Sequence, residues 1–243
     1  MTTSILKKSL LVCSCICTGL FAEAQFSFAP KIAVGLTTAT LSEPPRQAGN
    51  PGTVKTTSNV NGNVSVGLQV NYQFDDLWAL NSGVFYQYIQ PTFNEAVPGT
   101  SLTTIITDKF NYINIPLEIT HINDQLKKGW YYGIGVNFGL PISGTEDVAG
   151  STDTKTTVKF DGEKNANDNN NTHYNFLNVG GTVKVGYFFN NMFIGIDGNY
   201  GFSNIAPNTS SKYNINTYGI HYGYFLGRKV KKPAPAVADT TAN

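Results

Sequence analysis

Eight stretches of the chain alternate apolar with polar residues, and the apolar set carries no charge in any of them. The apolar positions begin with Ile32, Val34 and Leu36; Val64, Val66, Leu68, Val70 and Tyr72; Trp78, Leu80, Val84, Tyr86 and Tyr88; and Ile113, Ile115, Leu117 and Ile119. They continue with Trp130, Tyr132, Ile134, Val136, Phe138 and Leu140; Val179, Val183, Val185, Tyr187 and Phe189; Ile194, Ile196 and Tyr200; and Tyr218, Ile220, Tyr222 and Tyr224. A period of two marks a strand, because successive side chains point to opposite faces. Eight such segments in succession predict an all-β fold: an eight-stranded antiparallel up-and-down transmembrane β-barrel.

Alternation alone does not say which face is inside, since a soluble lipid-binding barrel would turn the apolar set into its core. The polar face decides. The charges within the eight segments are Lys31, Glu118, Lys184 and Asp197, and glycine, serine, threonine and asparagine fill most of the remaining polar positions. A water-washed surface would be roughly 25–35% charged. Charged residues are also scarce overall, 14% of the chain against about 25% in ordinary soluble domains. The aromatics agree with an apolar face turned to lipid. Tyr72, Trp78, Trp130, Tyr187 and Tyr224 lie on that face at one end of their strands, and Tyr88, Tyr200 and Tyr218 at the other. Tyrosine and tryptophan favour membrane interfaces, where the ring meets lipid and the polar atom meets water.

Connections alternate in length. Long ones run from Ala39 to Gly62, Gln90 to Lys109, Pro141 to Asn175 and Ser203 to Tyr213; short ones sit at Asp75-Asp76 and Asn190-Asn191, with a middling one from His121 to Gly129. Barrels of the outer membrane carry short periplasmic turns and longer extracellular loops, so four long extracellular loops and periplasmic termini are expected. Residues 1–24 read as a secretory signal peptide, with Lys7 and Lys8 before an apolar run and Ala22-Glu23-Ala24 before the cut. Residues 25–227 form the barrel domain, and 228–243, with two prolines and a small-residue end, read as a disordered periplasmic tail. The expected location is the bacterial outer membrane, the expected state a monomeric barrel.

Several chemistries are disfavoured. Cys13, Cys15 and Cys17 all fall in the leader, so the mature chain carries no thiol. Removing Lys7, Lys8 and Glu23 from 17 basic and 16 acidic residues leaves 15 of each, which argues against a nucleic-acid partner. The histidines, His121, His173 and His221, form no spaced catalytic or metal motif, and neither enzyme activity nor a cofactor is expected. The Asp161–Asn171 stretch offers oxygen ligands but lacks the spacing of a calcium loop. Lys31, Glu118, Lys184, Asp197 and His221 share the inward parity in different strands. In the narrow lumen of an eight-stranded ring the two bases and two acids are expected to pair as an internal plug.

The segment Tyr112-Ile113-Asn114-Ile115-Pro116-Leu117-Glu118, the turn after it, and Trp130-Tyr131-Tyr132-Gly133-Ile134-Gly135 resemble the PorT-like outer-membrane β-barrel domain of Bacteroidota. Ile194 to Ile205 and Tyr218 to Leu226 are similar to its last two strands. The resemblance covers about residues 26–227 and implies a fold with no shared catalytic residues; some members of the family are linked to protein secretion and most have no assigned role. Pro116 within a strand requires a bulge or an unpaired site. The expected function is structural or macromolecular interaction, with outer-membrane lipid and envelope proteins as partners through loops or tail. A small solute pore is the alternative, ahead of a soluble lipid-binding barrel or a membrane enzyme.

Overall fold

The computed structural model describes residues 25–42, 56–96, 103–123, 128–150, 153–162, 171–206 and 212–226. Its strands are β1 (Gln25–Ser42), β2 (Thr56–Asn59), β3 (Asn61–Gln73), β4 (Trp78–Ile89), β5 (Thr92–Ala96), β6 (Thr103–Ile122), β7 (Gly129–Ala149), β8 (Thr154–Lys159), β9 (Asn171–His173), β10 (Asn178–Phe189), β11 (Met192–Gly201) and β12 (Lys212–Tyr224). The proposed leader, the tail from residue 228 and residues 163–170 of the Asn/Asp-rich stretch lie outside the described residues.

Eight of these strands close on themselves in the order β1-β3-β4-β6-β7-β10-β11-β12, every pairing antiparallel. The first and last strands meet from Lys31–Gly223 to Ser42–Lys212, which leaves the ring no free edge. Ile32, Val34, Leu117, Ile119, Ile134, Val183, Ile196 and Ile220 point outward and are exposed; Glu118, Asn137, Thr182, Lys184 and His221 point inward and are buried. Where soluble sheets hide the apolar set, this one displays it.

The strand count differs from the sequence expectation. The sheet has twelve strands: β2, β5, β8 and β9 extend it beyond the ring. Three of the stretches expected as long loops contain these strands, and two of them also contain the upper halves of β6 and β7, which run for 20 and 21 residues. A membrane-crossing strand needs only about 9–11 residues, so these two continue well past the bilayer. The extension is hard to read because the apolar phase inverts at the boundary. In β6 the outward set Ile113, Ile115, Leu117 and Ile119 gives way above to inward Phe110 and Tyr112. In β12 outward Tyr218 and Ile220 give way to inward Tyr213 and Ile215. Below the switch the surroundings are lipid; above it they are water, and the apolar side chains turn in.

Local chemistry matches the turns. Asn190, in the two-residue connection between β10 and β11, has φ of 62°, a left-handed backbone that asparagine tolerates better than most residues. At Pro116, which has no N–H to give, pairing of β4 with β6 lapses between Ser82–Leu117 and Phe85–Asn114 and resumes in the same register. The bulge falls instead at Asn111/Tyr112, between β6 and β7.

The outward assignment generates a test. Ile134→Arg and Ile196→Arg should each lower unfolding free energy in lipid vesicles by about 2–4 kcal/mol, while Ile134→Leu should cost less than about 1.5 kcal/mol. Arginine tolerated at both positions without loss would mean that this face does not meet lipid.

Candidate functional site

The lumen is built from small residues on one strand that let long side chains on its neighbours cross over it. Gly133 and Gly135 of β7 sit between Glu118 of β6 and Lys184 of β10. A Cβ at Gly133 would lie 2.8 Å from Lys184 Cε, and one at Gly135 only 2.9 Å from Glu118 Cγ. With both positions bare, Lys184 Nζ reaches Glu118 Oε2 at 2.5 Å, and Thr182 donates to Oε1 at 2.7 Å. The side chains of Lys184 and Glu118 are 3% and 8% exposed, so this pair is removed from water.

A second pair repeats the arrangement across β12. Lys31 of β1 reaches over that strand to Asp197 Oδ2 of β11 at 3.2 Å. His221 of β12 places Nδ1 2.9 Å from the same oxygen, though without hydrogen-bond alignment. Its Nε2 lies 2.5 Å from the hydroxyl of Tyr131. Tyr131 comes from β7 and lies flat over Gly186 and Gly195, where any Cβ would strike its hydroxyl. The five inward residues named from sequence therefore meet in one belt across the lumen, and Tyr131 joins it. Nothing in the alternation singles Tyr131 out, because its room comes from glycines on the next two strands, Gly186 of β10 and Gly195 of β11.

Aromatic and aliphatic clusters close both sides of this belt. Toward the short turns, Ala29, Ile122, Tyr131, Phe188, Phe193 and Phe225 form one buried cluster, with Phe193 and Phe225 ring centroids 5.0 Å apart. Toward the long loops, a larger cluster includes Ile89, Phe93, Phe110, Tyr174, Tyr213 and Ile215. Between them, a polar cavity of about 80 Å³ is lined by Lys31, Phe85, Gln87, Asn114, Glu118 and Asp197 among others. That is room for a few waters, not for a hydrated path through the barrel.

The aromatic residues of the outer wall occupy two levels. Trp130 packs edge-on against Tyr187 at 5.6 Å, and Tyr72 lies 4.9 Å from Phe26. Trp78 lies tilted against His121, ring centroids 4.6 Å apart, and His121 pairs with it in β6 on the outer wall rather than in a turn. Tyr224 is opposite Met192 at the same end. Tyr88, Tyr200 and Tyr218 sit at the far end, Tyr218 registering with Leu36 and Gly198. His173 pairs with Asp161 at 2.8 Å on the long-loop side, far along the sheet from the lumen belt.

An ion pair buried this deeply leaves a costly orphan when broken. Glu118→Ala alone should destabilise the protein by about 3–5 kcal/mol, and Glu118→Ala with Lys184→Met by less than the sum of the single losses. Strictly additive losses in urea unfolding would mean that the two side chains do not act on one another.

Among curated proteins none matches the sequence. Solved structures with a similar chain course include Ail, the attachment invasion locus protein of Yersinia pestis, at 13% identity, covering 82% of this chain and 99% of that one, with a TM-score of 0.36. OprG of Pseudomonas aeruginosa has 13% identity, 84% and 97% coverage and a TM-score of 0.42. Neisserial surface protein A has 11% identity, 81% and 96% coverage and a TM-score of 0.38. A family model described as the outer membrane protein beta-barrel domain matches residues 23–206. With most of its length matched and its ring of strands turned apolar side out, the chain belongs to the outer membrane protein beta-barrel domain family.

Proposed function

We propose that this protein is a closed, monomeric outer-membrane barrel that acts by contact with other envelope macromolecules rather than by passing solute. The observation that carries this reading is the double seal. Apolar clusters fill both ends of the lumen, and paired charges fill the middle. A pore would need these charges hydrated along a continuous path, and the cavity of about 80 Å³ is lined by no residue of either end cluster.

In this reading residues 1–24 are removed on export, 25–227 cross the membrane, and 228–243 hang in the periplasm. The strand extension carried by β5, β8 and the upper halves of β6 and β7 stands outside the cell and presents the contact surface. The PorT-like resemblance of the Tyr112–Glu118 and Trp130–Gly135 segments favours a place in an envelope or secretion complex of Bacteroidota type. Lys31, Glu118, Lys184, Asp197 and His221 then serve as an internal plug, and the two aromatic levels as interfacial anchors.

Planar-bilayer recording of the refolded full chain tests the proposal. The expected result is no steady conductance from the wild type. A large steady current would remove the sealed-barrel reading and favour the solute pore; crosslinking from envelope membranes would then identify no stable neighbour.

A further inference from the structure

Above the membrane boundary the inward face of β6 carries one carboxyl that the lumen belt does not use. Asp108 is 1% exposed and packed among Phe93, Phe110, Tyr174 and Tyr213. Its backbone N–H donates to Pro91 O at 2.9 Å, which fixes its position. Oδ2 accepts from Tyr213 Oη at 2.6 Å and faces Tyr174 Oη at 3.4 Å. Oδ1 is buried and meets no donor among the described residues.

Two carboxyls approach one hydroxyl here. The Tyr174 hydroxyl lies 3.4 Å from Asp108 Oδ2 and also 3.4 Å from Glu146 Oε2. It has a single O–H and can donate to only one of them. At 3.4 Å neither contact is a short hydrogen bond, and two carboxyls crowded around one hydroxyl in a buried site favour a proton on one of them. Glu146 is the better solvated of the two, since Oε1 accepts from Thr172 at 3.0 Å and from Thr156 at 3.5 Å. Asp108, with a bare oxygen among rings, is the natural holder of the proton.

Among the described residues the surrounding elements offer it no cation. β7 contributes Glu146, the segment before β10 Tyr174, β12 Tyr213, and β6 itself Tyr112, whose hydroxyl is also buried and has no hydrogen-bond partner among the described residues. Lys109, next in the chain, turns outward and binds Asp147 at 2.6 Å. Burial, aided by the negative Glu146 and opposed by the two tyrosine hydrogen bonds, pushes the Asp108 carboxyl up to about 7.

We propose that Asp108 is a proton-operated latch on the long-loop end of the barrel. With its proton in place, the Tyr174 and Tyr213 segments are held down over the lumen. When the proton leaves, a buried carboxylate faces Glu146 with one oxygen unsolvated, and the segments lift to admit water. The sign follows from linkage: a carboxyl raised in the closed state favours closure at low pH, and that preference is lost as pH rises from the unperturbed range through about 7. The latch concerns the state of the cap and does not depend on what the cap binds.

Hydrogen exchange of the full chain in lipid nanodiscs tests it, read by mass spectrometry and corrected for intrinsic chemistry. Peptides spanning 171–175 and 212–216 should exchange on the order of tenfold faster at about pH 8.5 than at about pH 5.5. Wall peptides spanning 113–119 should not change. Asp108→Asn should stay slow at both pH values. Tyr213→Phe, which removes a donor that favours the ionised form, should move the midpoint to higher pH, and it carries the test should Asp108→Asn fail to fold. A pH-independent wild type, an Asp108→Asn variant that keeps the step, or a Tyr213→Phe midpoint that stays or falls would each overturn the latch.

Discussion

Hydrocarbon offers no partner to a backbone N–H or C=O, so a sheet can cross it only by closing on itself. The β1–β12 pairing meets that demand here, and much of the rest follows from it. Closure with eight strands leaves an interior just wide enough for side chains. A lumen that narrow forces long residues to share space. That is why glycines alternate on the inward face of β7, and why Glu118 and Lys184 meet over them instead of extending into water. The same economy of space lets Tyr131 span β10 and β11 to reach His221.

The barrel has two interiors with different physics. Within the membrane the apolar wall residues face out, and the inside is a charge-paired belt set on the aromatic cluster of Phe188, Phe193 and Phe225. Above it the apolar side chains turn in, and the inside becomes an ordinary aromatic core of Phe93, Phe110, Tyr174 and Tyr213. Both solutions exclude water, the first by pairing charge and the second by packing. Asp108 is the exception in the upper core: an acid where the packing is otherwise apolar.

The strands of the wall are legible in the sequence because each crosses a one-sided environment, which writes an unbroken period-two pattern such as Ile113-Ile115-Leu117-Ile119. The upper halves of β6 and β7 are not legible that way. Tyr112 and Ile113 are adjacent apolar residues on opposite faces, so the alternation changes phase and the segment above reads as loop. Parity also places Lys31, Glu118, Lys184 and Asp197 inside. Their contacts depend on which strands are neighbours but one, information held in the closure and not in any single segment. Asp108 continues the inward series Asn114, Tyr112, Phe110 upward, and the phase change at Tyr112 hides that continuity in the sequence.

The central claim is a closed wall, lipid outside and a water-excluding lumen inside. Nitroxide spin labels placed singly along 113–119 and 218–224 in lipid vesicles test it most directly. Collisions with lipid-soluble oxygen should peak at every second position, at Ile113, Ile115, Leu117 and Ile119 and at Tyr218, Ile220, Tyr222 and Tyr224. A water-soluble nickel chelate should reach neither the central outward positions Ile115, Leu117 and Ile220 nor the inward ones between them. Free access of the chelate to Glu118 or His221 positions, or oxygen access without a period of two, would contradict the account.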